Sequence, residues 1–332
     1  MFTINYRTMR KPTARAMTVW AMTAWAMTAG LWNFTRNLVF AQQETTFSQY
    51  MFNRVAYNPA SVGTSQCLQL NAQYRHQWTT FPGAPRSFGV NGHMGVPKWR
   101  SGFGAWMHTD ILGAFRNAGL GGNYAFRIPI GDGALALGLQ AAMQIYGIDP
   151  DRIRYADADD PLFLAGHRTV VLPDFGAGVF YHNRRAYAGF SVLRLAEFPL
   201  PVYYQALNTA LRRHYFLTGG YDVYLNENIT LTPSSLIKYT ARAPLQFDLN
   251  ANMMLYRLFW VGTGYRLNDA LIFNAGVFLM DRALRIGYSY DLTVSRMGVR
   301  NTRGTHEVTL GYRICPARKS GRIYNLITPE YF

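Results

Sequence analysis

The chain has 332 residues, 49% hydrophobic and only 15% charged, with 33 Lys and Arg against 18 Asp and Glu for a formal net charge of +15. A mean hydropathy of -0.08 with a single long apolar run excludes a polytopic helical membrane protein, which needs repeated stretches of about 20 apolar residues. The 22 Tyr, 21 Phe and 7 Trp exclude a disordered chain, and two Cys exclude a disulfide scaffold or a Cys-rich zinc module. With 30 Gly and many aromatics, a β-rich protein is the leading class.

Residues 1–41 contain Arg7, Arg10, Lys11, Arg15 and Arg36 and no acidic residue. After Arg15 comes the apolar AMTVWAMTAWAMTAGLW, then Val39-Phe40-Ala41 before the polar Gln42-Gln43. A basic start, an apolar stretch and small residues before a polar start read as a secretory signal peptide cut after Ala41. The other reading, a single N-terminal membrane anchor, rests on Arg36 interrupting the region before the cut. Losing 1–41 leaves a net charge of about +10, dispersed along the chain rather than clustered as nucleic-acid binding wants.

The next segment, 42–66, is too apolar for a free tail. Phe47, Tyr50, Met51 and Val55 recur at helical spacing, and Asn58-Pro59 ends the run, so a short helix is expected here. It either plugs the lumen of the domain that follows or docks a partner, with Phe47, Tyr50, Phe52, Asn58 and Pro59 as the candidate partner-binding residues.

From Cys67 onward the sequence alternates with period two. In 68–75, Leu68, Leu70, Ala72 and Tyr74 share one face, and Gln69, Asn71, Gln73 and Arg75 the other. The same holds for Leu120, Tyr124 and Phe126 against Gly121, Asn123 and Arg127, and for Leu249 and Met253 against Asp248, Asn250 and Asn252. It recurs for Ile286 and Tyr288 against Arg285 and Ser289, and for Val308, Leu310 and Tyr312 against Glu307, Thr309 and Arg313. Many runs approach 9–11 residues, the length a tilted strand needs to cross a bilayer, and exceed the 5–6 typical of a soluble sandwich. The expected fold is an all-β transmembrane antiparallel barrel of about 14 strands, an even number as single-chain outer-membrane barrels have. The expected spans are approximately 67–76, 87–96, 101–109, 117–128, 133–146, 173–181, 185–194, 212–224, 228–240, 244–255, 258–266, 270–280, 282–292 and 305–314.

Connections alternate between tight turns, such as Pro97-Lys98-Trp99-Arg100 and His182-Asn183-Arg184, and longer links at 77–86, 110–116, 147–172, 195–211 and 293–304. Short periplasmic turns and long outer loops are the rule for such barrels. Closure makes the first and last strands neighbours, so Cys67 and Cys315 should meet at the periplasmic rim. They form either a disulfide across the seam or two free or buried thiols. The domain organisation is thus a signal peptide (1–41), a plug or docking segment (42–66), the barrel (67–315) and a basic tail (316–332). The tail, ending Thr328-Pro329-Glu330-Tyr331-Phe332, is read as packing in the barrel mouth or presenting its terminal Phe to the assembly machinery.

No catalytic motif is present: no Gly-x-Ser-x-Gly elbow, His-Glu-x-x-His helix or Walker loop. Gly119-Leu120-Gly121-Gly122 matches no dinucleotide fingerprint and falls in a strand. His76, His93 and His108 lie near strand ends, where an interfacial role outweighs metal binding. Asp149, Asp151, Asp157, Asp159 and Asp160 share the longest loop; their spacing fits no EF-hand, and a solvated acidic loop is preferred to a calcium site. No cofactor is expected.

The segment FSQYMFN at 47–53 and NPA at 58–60 resemble the opening of the PorP/SprF family of Bacteroidetes outer-membrane proteins. The likeness continues through YRHQWTTFPGAPRS at 74–87, FRNAGLGGNYAFRIPIG at 115–131, DDPLF at 159–163 and PDFGAGVFY at 173–181. LTPSSLIKYTARAPLQFDLNAN at 231–252, LRIGYSYD at 284–291 and GTHEVTLGYR at 304–313 extend it over essentially the whole mature chain. The resemblance implies a non-enzymatic barrel of the type IX secretion system in the bacterial outer membrane, linked to gliding motility in some relatives. It implies periplasmic and outer-membrane machinery proteins and cargo with a sorting domain as partners. A porin or ligand-specific channel is the alternative, with a lumen lined by Arg75, Arg127, Arg285, Arg313, Asp248, Asp291 and Glu307. Pro82-Gly83-Ala84-Pro85 in an outer loop is a further candidate contact surface.

Overall fold

The computed structural model describes residues 46–149, 152, 168–198, 211–241, 243–295 and 302–315. Fourteen strands follow one another around a closed antiparallel sheet. They are β1 Leu68–His76, β2 Arg86–Val96, β3 Ser101–Leu112, β4 Phe115–Ile130, β5 Gly133–Ile148, β6 Arg168–His182 and β7 Ala186–Leu193. The second half is β8 His214–Tyr221, β9 Ile229–Thr240, β10 Gln246–Leu255, β11 Phe259–Arg266, β12 Ala270–Leu279, β13 Leu284–Thr293 and β14 Thr305–Ile314. β8 resumes beyond Asp222 as Val223–Tyr224 in unchanged register, opposite a stretch of β9 containing Pro233, which has no N–H to offer the ladder.

Each strand pairs with its neighbours in sequence, and β1 closes on β14 from Leu68↔Ile314 to His76↔His306. Closure is what lets such a sheet sit in lipid, because an open edge would leave backbone groups unpaired. The expected spans hold closely. One difference is the link between β3 and β4, expected as a loop over 110–116. Asp110, Ile111, Leu112, Phe115 and Arg116 all continue the ladder instead. A two-residue hairpin suffices because Gly113 takes the left-handed φ of 57°.

Burial runs opposite to that of a protein in water. The apolar face is exposed, with Leu120 at 52% and Leu139 at 63%, while the alternate polar residues Asn123 and Gln140 are at 4% and 6%. The lipid-facing surface carries exposed aromatics at both ends. Trp99, Tyr224, Tyr256 and Phe259 ring the end with the short 97–100 turn, and Tyr74, Phe88, Tyr239 and Tyr265 the other. These are the two girdles of a bilayer-spanning barrel, with the short-turn end in the periplasm.

Residues 46–66 run inside the barrel. They form no helix; the helical spacing of Phe47, Tyr50, Met51 and Val55 resolves into three single 3-10 turns, Tyr50–Phe52, Arg54–Ala56 and Pro59–Ser61. The physical reason is local. Asn53 and Asn58 interrupt the run, and the Asn58 side chain accepts a hydrogen bond from Ala60 N at 2.9 Å, a cap that starts a new turn rather than extending an old one. The turns need partners that a continuous helix would have found within itself, and the wall supplies them.

Candidate functional site

Short 3-10 turns leave most of their backbone N–H and C=O groups unpaired, and burying them without partners costs about 1–3 kcal/mol each. The polar inward face of the strands is what answers this need. Toward the outer end, Glu307 on β14 accepts from two consecutive amides, Ser48 N to Oε2 at 2.7 Å and Gln49 N to Oε1 at 3.0 Å. The Ser48 hydroxyl donates to Asp291 of β13 and accepts from Arg75 of β1 at 2.8 Å and Arg266 of β11 at 3.2 Å. Arg75 also bridges Asp291 at 2.7 Å and Glu307 at 3.1 Å. Arg266 bridges Asp248 at 3.2 Å and Asp291 at 3.1 Å. Two guanidiniums and three carboxylates, all nearly or fully buried, thus close around one serine.

The middle of the segment is held by rings and amides. Phe52 packs on Trp260, centroids 5.0 Å apart, and beneath the Arg285 guanidinium at 4.3 Å. Arg54 lies over the rings of Tyr187 at 4.3 Å and Phe180 at 5.4 Å. Such stacking is worth about 2 kcal/mol or more where water is excluded. Asn53 donates to Gln73 Oε1 at 2.6 Å and accepts from Asn91 Nδ2 at 2.8 Å.

Toward the periplasm the wall comes closer still. Asn58 donates to Val179 O at 3.0 Å, across the paired strands β6 and β7. Gly178 and Gly189 on those strands leave room for its amide, and a Cβ at Gly138 of β5 would overlap the Ala60 backbone. Gly63 N donates to His93 Nδ1 at 3.0 Å, Gly95 N to Ser65 O at 2.7 Å, and Arg127 to Val62 O. Glycines at these wall positions are there for close backbone approach.

The residues singled out from sequence fall as follows. Phe47, Tyr50, Phe52, Asn58 and Pro59 are all buried inside the barrel, between 1% and 5% exposed where the turns pack hardest. Arg75, Asp248, Asp291 and Glu307 converge on the outer cluster; Arg127 and Arg285 hold the segment separately, and Arg313 lies half-buried near the periplasmic rim. Cys67 and Cys315 are joined as a disulfide, Cα atoms 4.2 Å apart, flanking the Leu68↔Ile314 rung of the seam. His93 accepts from the segment, His108 sits 3.8 Å from Asp110, and no cluster of metal-ligating side chains occurs among the described residues. Of the acidic loop only Asp149 is described, paired with Arg152 at 3.0 Å. The signal region, the rest of that loop and the tail lie outside the described residues. Pro82 to Pro85 lie in the β1–β2 link, where Ala84 N closes a turn onto Phe81 O at 3.0 Å.

Sequence reasoning missed Arg266, Arg54 and Ser48. Arg266 had the signal of an inward strand position, two residues from Gly264 and beside outward Tyr265. Arg54 and Ser48 carry no periodic signal, since they lie outside the strands and, Arg75 apart, the partners described above lie on strands more than 100 positions away.

The fold and its filled interior define a bilayer-spanning outer-membrane β-barrel whose own N-terminal segment is built into the lumen. A family model described as "Type IX secretion system membrane protein PorP/SprF" matches residues 39–312. The chain belongs to that family, and is accordingly an outer-membrane component of type IX secretion. No curated protein matches it. Among solved structures, the Acinetobacter baumannii outer membrane protein Omp33 aligns at 8% identity and TM-score 0.43, over 76% of this chain and all of that one. A NanC porin aligns at 10% and 0.37, over 75% of this chain and all of that one. A TodX monoaromatic hydrocarbon channel variant aligns at 10% and 0.43, over 78% of this chain and 93% of that one. At such scores they add nothing to what the strand register already establishes.

Proposed function

We propose that this barrel works in secretion as a plugged, non-enzymatic scaffold, binding machinery partners and sorting-domain cargo at its rims rather than conducting solutes. The observation that carries this reading is the enclosure of Ser48 and Gln49 by Arg75, Arg266, Asp291 and Glu307. Four strands contribute to that latch, so the segment is hydrogen-bonded into the wall's own ion-pair network. An ordinary porin leaves its inward charges to water.

On this reading Phe47, Tyr50, Phe52, Asn58 and Pro59 are inward anchors of the plug, and they meet a partner only if the segment leaves the lumen. Outer contacts fall to the loop carrying Pro82, Gly83, Ala84 and Pro85, because polar loops on a rigid scaffold are where binding usually resides. The link to gliding motility belongs to the same reading.

Deleting the gene and measuring the surface and medium proteomes tests it. Loss of a set of sorting-domain proteins from the surface and medium is the expected result. An unaltered secretome together with lost uptake of a small solute would favour the channel reading instead.

A further inference from the structure

At the periplasmic end, beside the seam, a small open pocket is lined by Arg282, Arg285 and Arg313 together with Gln69, Asn71 and Phe52. None of its lining residues is a carboxylate; Asp281, in the same turn as Arg282, does not line it. This sets it apart from the outer cluster, where Arg75 and Arg266 each face acidic partners at 2.7–3.2 Å. Arg285 is 92% buried, since only 8% of it is exposed, and its neighbours are a neutral amide and a ring. Nη2 donates to Asn71 Oδ1 at 2.8 Å, Phe52 covers one face at 4.3 Å, and the buried Nε has no hydrogen-bond partner.

A guanidinium stacked by its face offers its edge, and that fork fits a planar carboxylate through two parallel hydrogen bonds. The absence of a side chain at Gly311 leaves room for the guanidinium itself. A Cβ at Gly311, on the inward face of β14, would lie 3.0 Å from both Nε and Nη2. Arg282 is delivered by a turn in which Met280, Asp281 and Arg282 all adopt the left-handed region, at φ 52°, 51° and 67°. Three successive non-glycine residues there are disfavoured and persist only where the surroundings impose them.

We propose that this pocket is an oxyanion site that receives the carboxylates of an acidic peptide presented by a periplasmic partner, a deepening that rests on the rim-docking reading above. Lipid phosphate is the poorer match, because Arg285 and Arg313 occupy inward strand positions, opposite in parity to the bilayer-facing Leu70 and Tyr312 that also border the pocket. The site supplies charge and planar geometry, and Phe52 ties it to the plug.

The test uses the purified full chain in detergent micelles and a fluorescent N-acetyl tetra-glutamate peptide, read by anisotropy at low salt. Saturable binding is expected, weakened at least tenfold by Arg285→Gln with Arg313→Gln and absent for tetra-glutamine. Because Arg285→Gln disturbs Phe52 and Asn71, two milder variants carry the test independently. Arg313→Gln changes a half-buried rim residue, and Gly311→Ala crowds the Arg285 guanidinium without removing charge; each should weaken binding severalfold. Arg116→Gln, at the opposite end of the barrel, should leave it unchanged. Equal binding of tetra-glutamine, full binding by both milder variants, or equal loss in Arg116→Gln would overturn the proposal. None of these readings depends on secretion, so a failed pocket and a failed secretion role give different results.

Discussion

Glu307 grips Ser48 from 259 positions away, accepting its backbone N–H at 2.7 Å while the next amide, of Gln49, bonds the other carboxylate oxygen. The same carboxylate lies 3.1 Å from Arg75. One side chain therefore satisfies two buried backbone donors and shares in neutralising a buried guanidinium.

Removing it should be costly. Glu307→Ala leaves two buried amides unpaired and Arg75 with Asp291 as its remaining carboxylate partner, and breaking a buried pair in this way typically costs about 3–5 kcal/mol. Glu307→Gln keeps an acceptor and should cost less, about 1–3 kcal/mol. The check is the temperature at which the detergent-solubilised barrel loses its compact electrophoretic mobility, with the order wild type, Gln, Ala from most to least stable.

Gly138→Ala should displace the Pro59–Ser61 turn, because the added Cβ would overlap the Ala60 backbone. Overpacking of this kind costs about 1–3 kcal/mol. Gly122→Ala on β4, whose nearest new neighbour would be Gly104 O at 3.9 Å, should change stability by less than about 0.5 kcal/mol. Comparing the two by denaturant titration separates a plug contact from a general intolerance of alanine.

Much of this was legible in the sequence, and the parts that were not share a cause. Strand positions follow from alternation because the side-chain period is two and one face meets lipid, so Leu70 against Asn71 or Tyr288 against Ser289 needs no knowledge of other strands. The purpose of the polar face was not legible. Asp248, Asp291 and Glu307 read equally well as the lining of a watery channel, since nothing local to them records that Ser48 arrives between them. Arg266 was overlooked for the same reason. The 3-10 turns were misread because spacing at 47–55 reports only which residues are apolar, and not whether a wall will replace the hydrogen bonds of a helix.

The seam offers a third expectation. The Cys67–Cys315 bond closes a loop across 248 positions, and removing it with Cys67→Ser and Cys315→Ser should cost about 2–4 kcal/mol. The nine paired positions between β1 and β14 should still hold the barrel closed in the membrane. Alkylation before and after reduction, read by mass, should show no free thiol in the unreduced protein and two afterwards.

The central claim is that residues 46–66 fill the lumen of a closed barrel. Conductance in planar bilayers, comparing the full mature chain with a variant lacking 46–60, tests it directly. The full chain should pass no steady current and the deletion should open a stable, ion-permeable pore. Porin-like current through the intact chain, unchanged by the deletion, would contradict the claim.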